Sequence, residues 1–176
     1  MATAPLNADT TGSPQRWTTL HIALHWLVVL LVAAQYFEGE SMSALFDANN
    51  EGTAVGGATQ TLGYLHMAIG IALFAAICAR IWDHRTNGRP PHPAGEPNWA
   101  AKLAALTQTL LYATLLAMPL AGLAAYFTGS EQIAGLHGLA SKVLIALIAL
   151  HVAGALANHF WFKTDVLRRM MPGQGR

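Results

Sequence analysis

Four long apolar segments constrain the fold of this chain more than any other feature. They cover residues 18–37, 62–82, 103–127 and 137–160, and a helix needs about 20 such residues to cross about 30 Å of hydrocarbon. Of the 176 residues, 53% are hydrophobic and only 11% are charged. That composition leaves too little polar surface to cover a soluble globule. The segments therefore predict an all-α integral membrane four-helix bundle.

The basic residues are unevenly distributed, and this predicts the orientation. They precede the first segment, flank the connection between the second and third, and follow the fourth: Arg16; Arg80, Arg85, Arg89 and Lys102; Lys163, Arg168, Arg169 and Arg176. The connection at 38–61 has four acids and no base. Because cytoplasmic loops carry an excess of Lys and Arg, we expect both termini in the cytoplasm and a polar, flexible outer loop at 38–61. The basic rim needs no nucleic acid to explain it.

The organisation predicted is a single domain, 17–172, between a cytoplasmic N-terminal tail at 1–16 and a short C-terminal tail at 173–176. The first apolar segment is too long for the core of a cleaved signal peptide, so we expect it to be a retained signal anchor. The Pro-rich stretch 87–98 cannot continue a helix and is expected to be a cytoplasmic connector.

Histidines stand out because polar groups inside a span are costly and usually functional. His137 and His151 are fourteen residues apart, so they lie on one face of a helix with about 21 Å between them. By depth, His66 pairs with His137 near the outer side and His25 pairs with His151 near the inner side. Two nitrogens at each of two levels are what two six-coordinate haems require. The chain has no C-x-x-C-H motif, so these haems would be held non-covalently.

Small residues accompany three of the four histidines and would leave room for a porphyrin: Gly63, Gly70, Gly135, Gly138 and Gly154. Close helix packing in the membrane explains any one of them equally well. His21 is the rival ligand to His25, but we expect it to be solvated at the water interface. Arg80 and Lys142 are candidates for pairing with haem propionates at the inner and outer faces, although ordinary snorkelling also accounts for them.

Several short motifs resemble the bacterial cytochrome b561 family, which includes the cytochrome b subunits of membrane hydrogenases. They are LHW at 24–26, LHMAIG at 65–70, LHG at 136–138, LHVAGALANHF at 150–160 and LRRMMP at 167–172. Their order and spacing extend the resemblance over residues 16–172. It implies a bundle in the bacterial inner membrane that binds two b haems, through His25 and His151 at the inner level and through His66 and His137 at the outer level.

The resemblance also implies that electrons pass between the haems and a membrane quinone, with ubiquinone as the substrate in members similar to superoxide oxidases. Such members take the electron from superoxide at the outer face. Asn158 lies within about 20° of the His151 face, which places a candidate quinone site at Asn158 and His159. The family often has two histidines there. An amide hydrogen-bonds a carbonyl but supplies no proton near neutral pH, so protonation would depend on His159.

Three classes of function follow from these patterns. The first is a dihaem cytochrome that moves electrons from an outer-side donor to quinone, with superoxide:ubiquinone oxidoreductase as its candidate activity. The second is a haem-bearing anchor or electron-transfer subunit of a larger respiratory complex such as a hydrogenase, with a periplasmic partner. The third and remote one is a metal transporter, but no carboxylate or thiolate cluster accompanies the histidines in the segments.

Overall fold

The computed structural model describes residues 16–173, and four long helices dominate that range. They are α1 (Thr19–Glu51), α2 (Gly57–Asn87), α3 (Asn98–Thr128) and α4 (Glu131–Phe160), followed by the single turn α5 (Val166–Arg169). Each long helix is long and apolar enough to cross a membrane, and residues 16–173 contain no strand. The prediction of an all-α membrane bundle with four spans is confirmed. Most of the two predicted tails lies outside the described residues.

Helix α1 is much longer than its apolar segment, and the prediction of a flexible loop over 38–61 is wrong. The helix continues to Glu51 and ends at Gly52, whose φ of 67° is the left-handed conformation typical of a helix C-terminus. Its last turns are held by side chains buried against the bundle: Leu45, Phe46 and Ala48. Tertiary packing therefore extends the helix beyond the stretch that hydropathy marks, and the connection to α2 is a short turn.

The helices pack in chain order, α1 on α2, α2 on α3 and α3 on α4. Within the described range, α1 and α4 do not pack closely along their lengths. All four helices contribute to one apolar core: Val28, Val32, Leu73, Ala76, Ile77, Leu115 and Leu144. Leu144 lies seven residues from both His137 and His151, so the core forms a layer midway between the two histidine levels.

The antiparallel helices give the bundle two ends of opposite charge. The end formed by the start of α1 and the end of α2 is called here the basic end, and it carries Arg85, Arg89, Lys102, Lys163, Arg168 and Arg169. The opposite end is called the acidic end, and it carries Glu40, Asp47, Glu51 and Glu131. This separation of charge is the one the sequence predicted. That the basic end faces the cytoplasm stays a prediction.

At the basic end, the connector between α2 and α3 lies against the C-terminal segment. Arg169 Nη1 donates a hydrogen bond to the Pro91 carbonyl oxygen at 2.8 Å, and the Trp99 ring meets Phe162 edge to face at 6.1 Å. The C-terminal segment also contacts α1, because Trp26 Nε1 donates to the Met170 carbonyl oxygen at 2.8 Å. The connector is thus a docked part of the fold.

Candidate functional site

Two histidine pairs lie between helices on opposite sides of the apolar core. The ring centres of His25 in α1 and His151 in α4 are 6.2 Å apart, and this is called the basic-end pair. The ring centres of His66 in α2 and His137 in α4 are 6.4 Å apart, and this is called the acidic-end pair. The structure therefore brings together the same residues that depth and helical phase placed together.

The separation within each pair suits one iron atom bound from both sides. Two imidazoles that each bind iron at about 2 Å have ring centres about 6 Å apart, and the observed values are 6.2 and 6.4 Å. The described part of the chain holds no group of three or more His, Cys, Asp or Glu side chains placed to bind a bare metal ion. The two pairs of imidazoles are nitrogen donors of the kind that can hold haem iron.

A cavity of about 420 Å³ adjoins the acidic-end pair. Its lining comes from all four helices and includes His66, His137, Gly70, Pro119 and Gly122. The volume lies within the range of about 300–1,000 Å³ that small-molecule sites occupy. The cavity gives a bulky planar group room next to both rings.

The His137 ring is oriented by helix α3. Its Nδ1 donates a hydrogen bond to the Met118 carbonyl oxygen at 3.0 Å, which leaves the Nε2 lone pair available for a metal. Gly122 allows this close approach, because a Cβ on Gly122 would lie 3.1 Å from Cε1 of His137. Sequence reasoning missed Gly122, since α3 has no histidine and the glycine is conspicuous only once the two helices are seen together.

Two buried polar atoms at the same cavity have no partner among the described residues. They are Nδ1 of His66 and Oε1 of Gln35, and both residues line the cavity. Buried polar atoms in proteins are nearly always hydrogen-bonded to protein or ordered water. Unsatisfied atoms around a cavity indicate a site completed by a group from outside the polypeptide.

The basic-end pair is more open and has a charged neighbour. His151 is exposed and His25 is half-buried, while Arg80 is buried and places Nη1 2.9 Å from Nδ1 of His25. Arginine can only donate, so His25 Nδ1 accepts this bond. A histidine that binds iron through Nε2 carries its proton on Nδ1. Iron at His25 therefore requires the Nη1 arm of Arg80 to turn away.

The glycines divide into two groups. A Cβ on Gly63 would lie 2.6 Å from Leu45 Cδ2, and one on Gly70 would lie 3.3 Å from Gln35 Nε2, so both allow α1 and α2 to approach closely. The others have nothing within 4 Å of such a Cβ: Gly135, Gly138 and Gly154. Close packing of α1 against α2 explains Gly63 and Gly70. The other three glycines leave open space beside the histidines of α4.

Asn158 and His159 differ in how much of their hydrogen-bonding capacity is used. Asn158 is buried, and its Nδ2 donates to Glu96 Oε1 at 3.0 Å and to the Gly154 carbonyl oxygen at 3.3 Å. Its Oδ1 accepts from Thr164 Oγ1 at 2.9 Å. His159, in contrast, has a buried Nδ1 without a partner among residues 16–173. Both polar atoms of the Asn158 side chain are thus hydrogen-bonded, whereas His159 has one ring nitrogen available to a ligand.

The expectation that His21 is solvated is wrong, because only 1% of its surface is exposed. Its Nδ1 lies 3.2 Å from Oδ2 of Asp83, which is itself 2% exposed. Its Nε2 lies 3.1 Å from Nη2 of Arg80. Sequence reasoning missed Asp83, although an acid one turn from Arg80 at the end of an apolar segment is a signal of a buried polar contact. Lys142, the other predicted propionate partner, is exposed on α4.

Comparison with known proteins agrees with this architecture. A family model described as prokaryotic cytochrome b561 matches residues 16–173. The chain is 32% identical over 155 residues to cytochrome b562 of Cereibacter sphaeroides, covering 88% of this chain and 94% of that protein. It is 28% identical over 179 residues to cytochrome b561 homolog 1 of Escherichia coli, covering 89% and 97% of the two chains.

A further relative is named probable superoxide oxidase CybB, from Yersinia pestis, at 27% identity over 179 residues and with 90% of this chain and 97% of that protein covered. Both the matched range and the relatives' names agree with the resemblance that the short motifs carry. The chain therefore belongs to the prokaryotic cytochrome b561 family, as a multi-pass bacterial membrane protein of electron transfer that binds haem b.

Proposed function

We propose that this protein is a dihaem cytochrome b that moves electrons across the membrane between a donor at the acidic end and quinone at the basic end. His25 and His151 would hold the basic-end haem, and His66 and His137 would hold the acidic-end haem. The observation that carries the proposal is the pair of ring separations, 6.2 and 6.4 Å, on either side of the apolar core.

The haem supplies a one-electron change at its iron, and the protein supplies position and environment. Iron with two histidine ligands has no open coordination site, which favours electron transfer over oxygen activation. The hydrogen bond from His137 Nδ1 to the Met118 carbonyl oxygen holds that ring in the tautomer that binds iron through Nε2. By the positive-inside rule, the basic end faces the cytoplasm.

For quinone we propose a site at the basic end that uses His159. Its buried Nδ1 has no partner among the described residues, so it is free to hydrogen-bond a quinone oxygen or to move a proton. Asn158 has a structural role next to this site, because its side-chain amide is already hydrogen-bonded to Glu96, Gly154 and Thr164.

Superoxide is the first donor to test, because one relative is named probable superoxide oxidase. The acidic end, however, carries Glu40, Asp47, Glu51 and Glu131, and their charge repels an anion. The same charge favours the second candidate function, in which a basic periplasmic protein docks there and the chain is the haem-bearing subunit of a larger complex. Superoxide-dependent quinone reduction by the isolated protein, without a partner, would separate the two.

The central test is haem content per chain, with a reduced-minus-oxidised spectrum of the purified protein. We expect two low-spin b haems in the wild type and one in His151→Ala, because the acidic-end pair stays complete. His92→Ala, an exposed histidine of the connector, is the matched control and should keep both. Folded wild-type protein without haem would refute the proposed function, and unchanged content in His151→Ala would refute the pairing.

A further inference from the structure

A chain of buried polar side chains leads from the basic end of α2 to the basic-end pair. It is called here the Asp83 cluster and consists of Asp83, His21 and Arg80, with Thr18 as a support. Asp83 and His21 are 2% and 1% exposed, and Arg80 is 7% exposed. The Trp17 ring stacks on His21 at 4.3 Å with an interplanar angle of 11°, which covers the imidazole. The charges of Asp83 and Arg80 therefore interact in surroundings that screen them poorly.

The direction of each hydrogen bond in the Asp83 cluster follows from what arginine can do. The guanidinium has no acceptor, so Nη2 of Arg80 donates to Nε2 of His21 across 3.1 Å. The His21 proton therefore lies on Nδ1, which donates to Asp83 Oδ2 at 3.2 Å. Nε2 of His21 accepts a hydrogen bond and Nδ1 donates one, so His21 links the Arg80 guanidinium to the Asp83 carboxylate.

Asp83 is itself held in place by α1 and by its own helix. Thr18 Oγ1 donates to both of its oxygens, at 3.0 and 2.9 Å, and Asn87 Nδ2 donates to Oδ1 at 2.9 Å. Thr18 also accepts from the backbone nitrogen of His21 at 2.9 Å, as the N-cap of α1. The carboxylate thus fixes His21 with respect to both helices that carry the cluster.

The second arm of the guanidinium points towards the basic-end pair, where Nη1 lies 2.9 Å from Nδ1 of His25. Nε of Arg80 is buried without a partner among the described residues. If His25 held a haem iron through Nε2, its Nδ1 would carry the ring proton, so the Nη1 arm of Arg80 would turn away while His21 kept its hydrogen bond to the other arm. The displaced arm remains next to the site as a charged donor, and carboxylates are its preferred partners.

We propose that His21 and Asp83 are positioning residues that hold the Arg80 guanidinium beside the basic-end haem, where its positive charge raises the reduction potential. The inference deepens the proposed function and rests on it. Reduction removes one positive charge from the iron, so a fixed cation nearby stabilises the reduced form. Hydrogen bonding and charge around a haem are among the means by which proteins set its potential. His21 acts in this account through Arg80 and touches no reacting atom.

The test is a spectroelectrochemical titration of the purified, haem-loaded protein. The step that is missing in His151→Ala identifies the basic-end haem. His21→Leu removes the acceptor for Arg80 without changing a charge, so we expect the midpoint potential of the basic-end haem to fall while that of the acidic-end haem stays. His21→Gln keeps an acceptor for Arg80 and a donor for Asp83 and should restore the wild-type value.

A double variant decides whether His21 acts through Arg80. In the Arg80→Gln background the potential is already low, and His21→Leu should lower it no further. If His21→Leu does not accumulate, His21→Ser replaces it, since serine is too short to join Arg80 to Asp83. An unmoved potential in the single variant, or an equal fall in His21→Gln, would overturn the inference. Such results need both haems present, so they differ from failure of the proposed function, in which no haem is bound.

Discussion

Gly122→Ala is a small change that should act on one haem only. An alanine Cβ at this position would lie 3.1 Å from Cε1 and 3.3 Å from Nδ1 of His137, whereas carbon atoms in contact prefer about 3.5–4.0 Å. The ring must therefore retreat by a few tenths of an ångström. It is not free to do so, because Nδ1 is bound to the Met118 carbonyl oxygen on the same helix at 3.0 Å.

The size of the effect follows from the cost of overpacking, which is about 1–3 kcal/mol when a methyl group enters a closely packed site. If the protein avoids the clash by turning the His137 ring, the cost falls on haem binding at the acidic-end pair. At about 1.4 kcal/mol for each factor of ten, affinity for that haem should fall about 5- to 150-fold. The basic-end pair has no contact with Gly122 and should keep its haem.

The assay is the number of haems per chain after size-exclusion chromatography in detergent, followed by haem titration of the depleted protein. Gly57→Ala is the control, since Gly57 is exposed at the start of α2, away from the histidines, and has nothing within 4 Å of the added carbon. The reasoning is refuted if both variants retain the acidic-end haem equally, because the approach of α3 would then not position His137.

Two further predictions concern the ends of the bundle. Asn158→Ala should lower the free energy of unfolding by about 1–3 kcal/mol, because Thr164 and Glu96 lose a buried partner; a denaturant titration identical to that of the wild type would contradict this role. Combining Glu40→Gln with Asp47→Asn should speed reduction of the haems by superoxide and weaken its dependence on ionic strength, because less negative charge repels the anion. Rates independent of charge and salt would argue against electrostatic control.

Much of the fold and part of the site could be predicted because the signals are local. Hydropathy identifies a span from about 20 consecutive residues. The helical period places His137 and His151 on the same face of one helix. Both properties are readable without knowledge of any neighbouring helix. For this reason the four spans and the proximity of His25 to His151, and of His66 to His137, agree between sequence and structure.

What could not be predicted depends on partners distant in the chain. His21 was predicted to be solvated because its partner Asp83 is 62 residues away in the chain. Asn158 was predicted to be available to a quinone because its partner Glu96 is also 62 residues away. Helix α1 continues past its apolar segment because α2 covers Leu45 through the space left at Gly63. In each case a contact between helices, absent from any local pattern, decides the outcome.

The apolar core layer has a consequence for energy conversion under the proposed function. Its seven buried side chains carry no exchangeable proton, so they offer no path by which a proton could accompany an electron between the two levels. The levels are about 21 Å apart along α4, which is about 70% of a hydrocarbon thickness of about 30 Å. Each transfer therefore does electrical work of about 1.6 kcal/mol per 100 mV of membrane potential. The protein would be electrogenic, and its turnover would respond to the voltage of the cell.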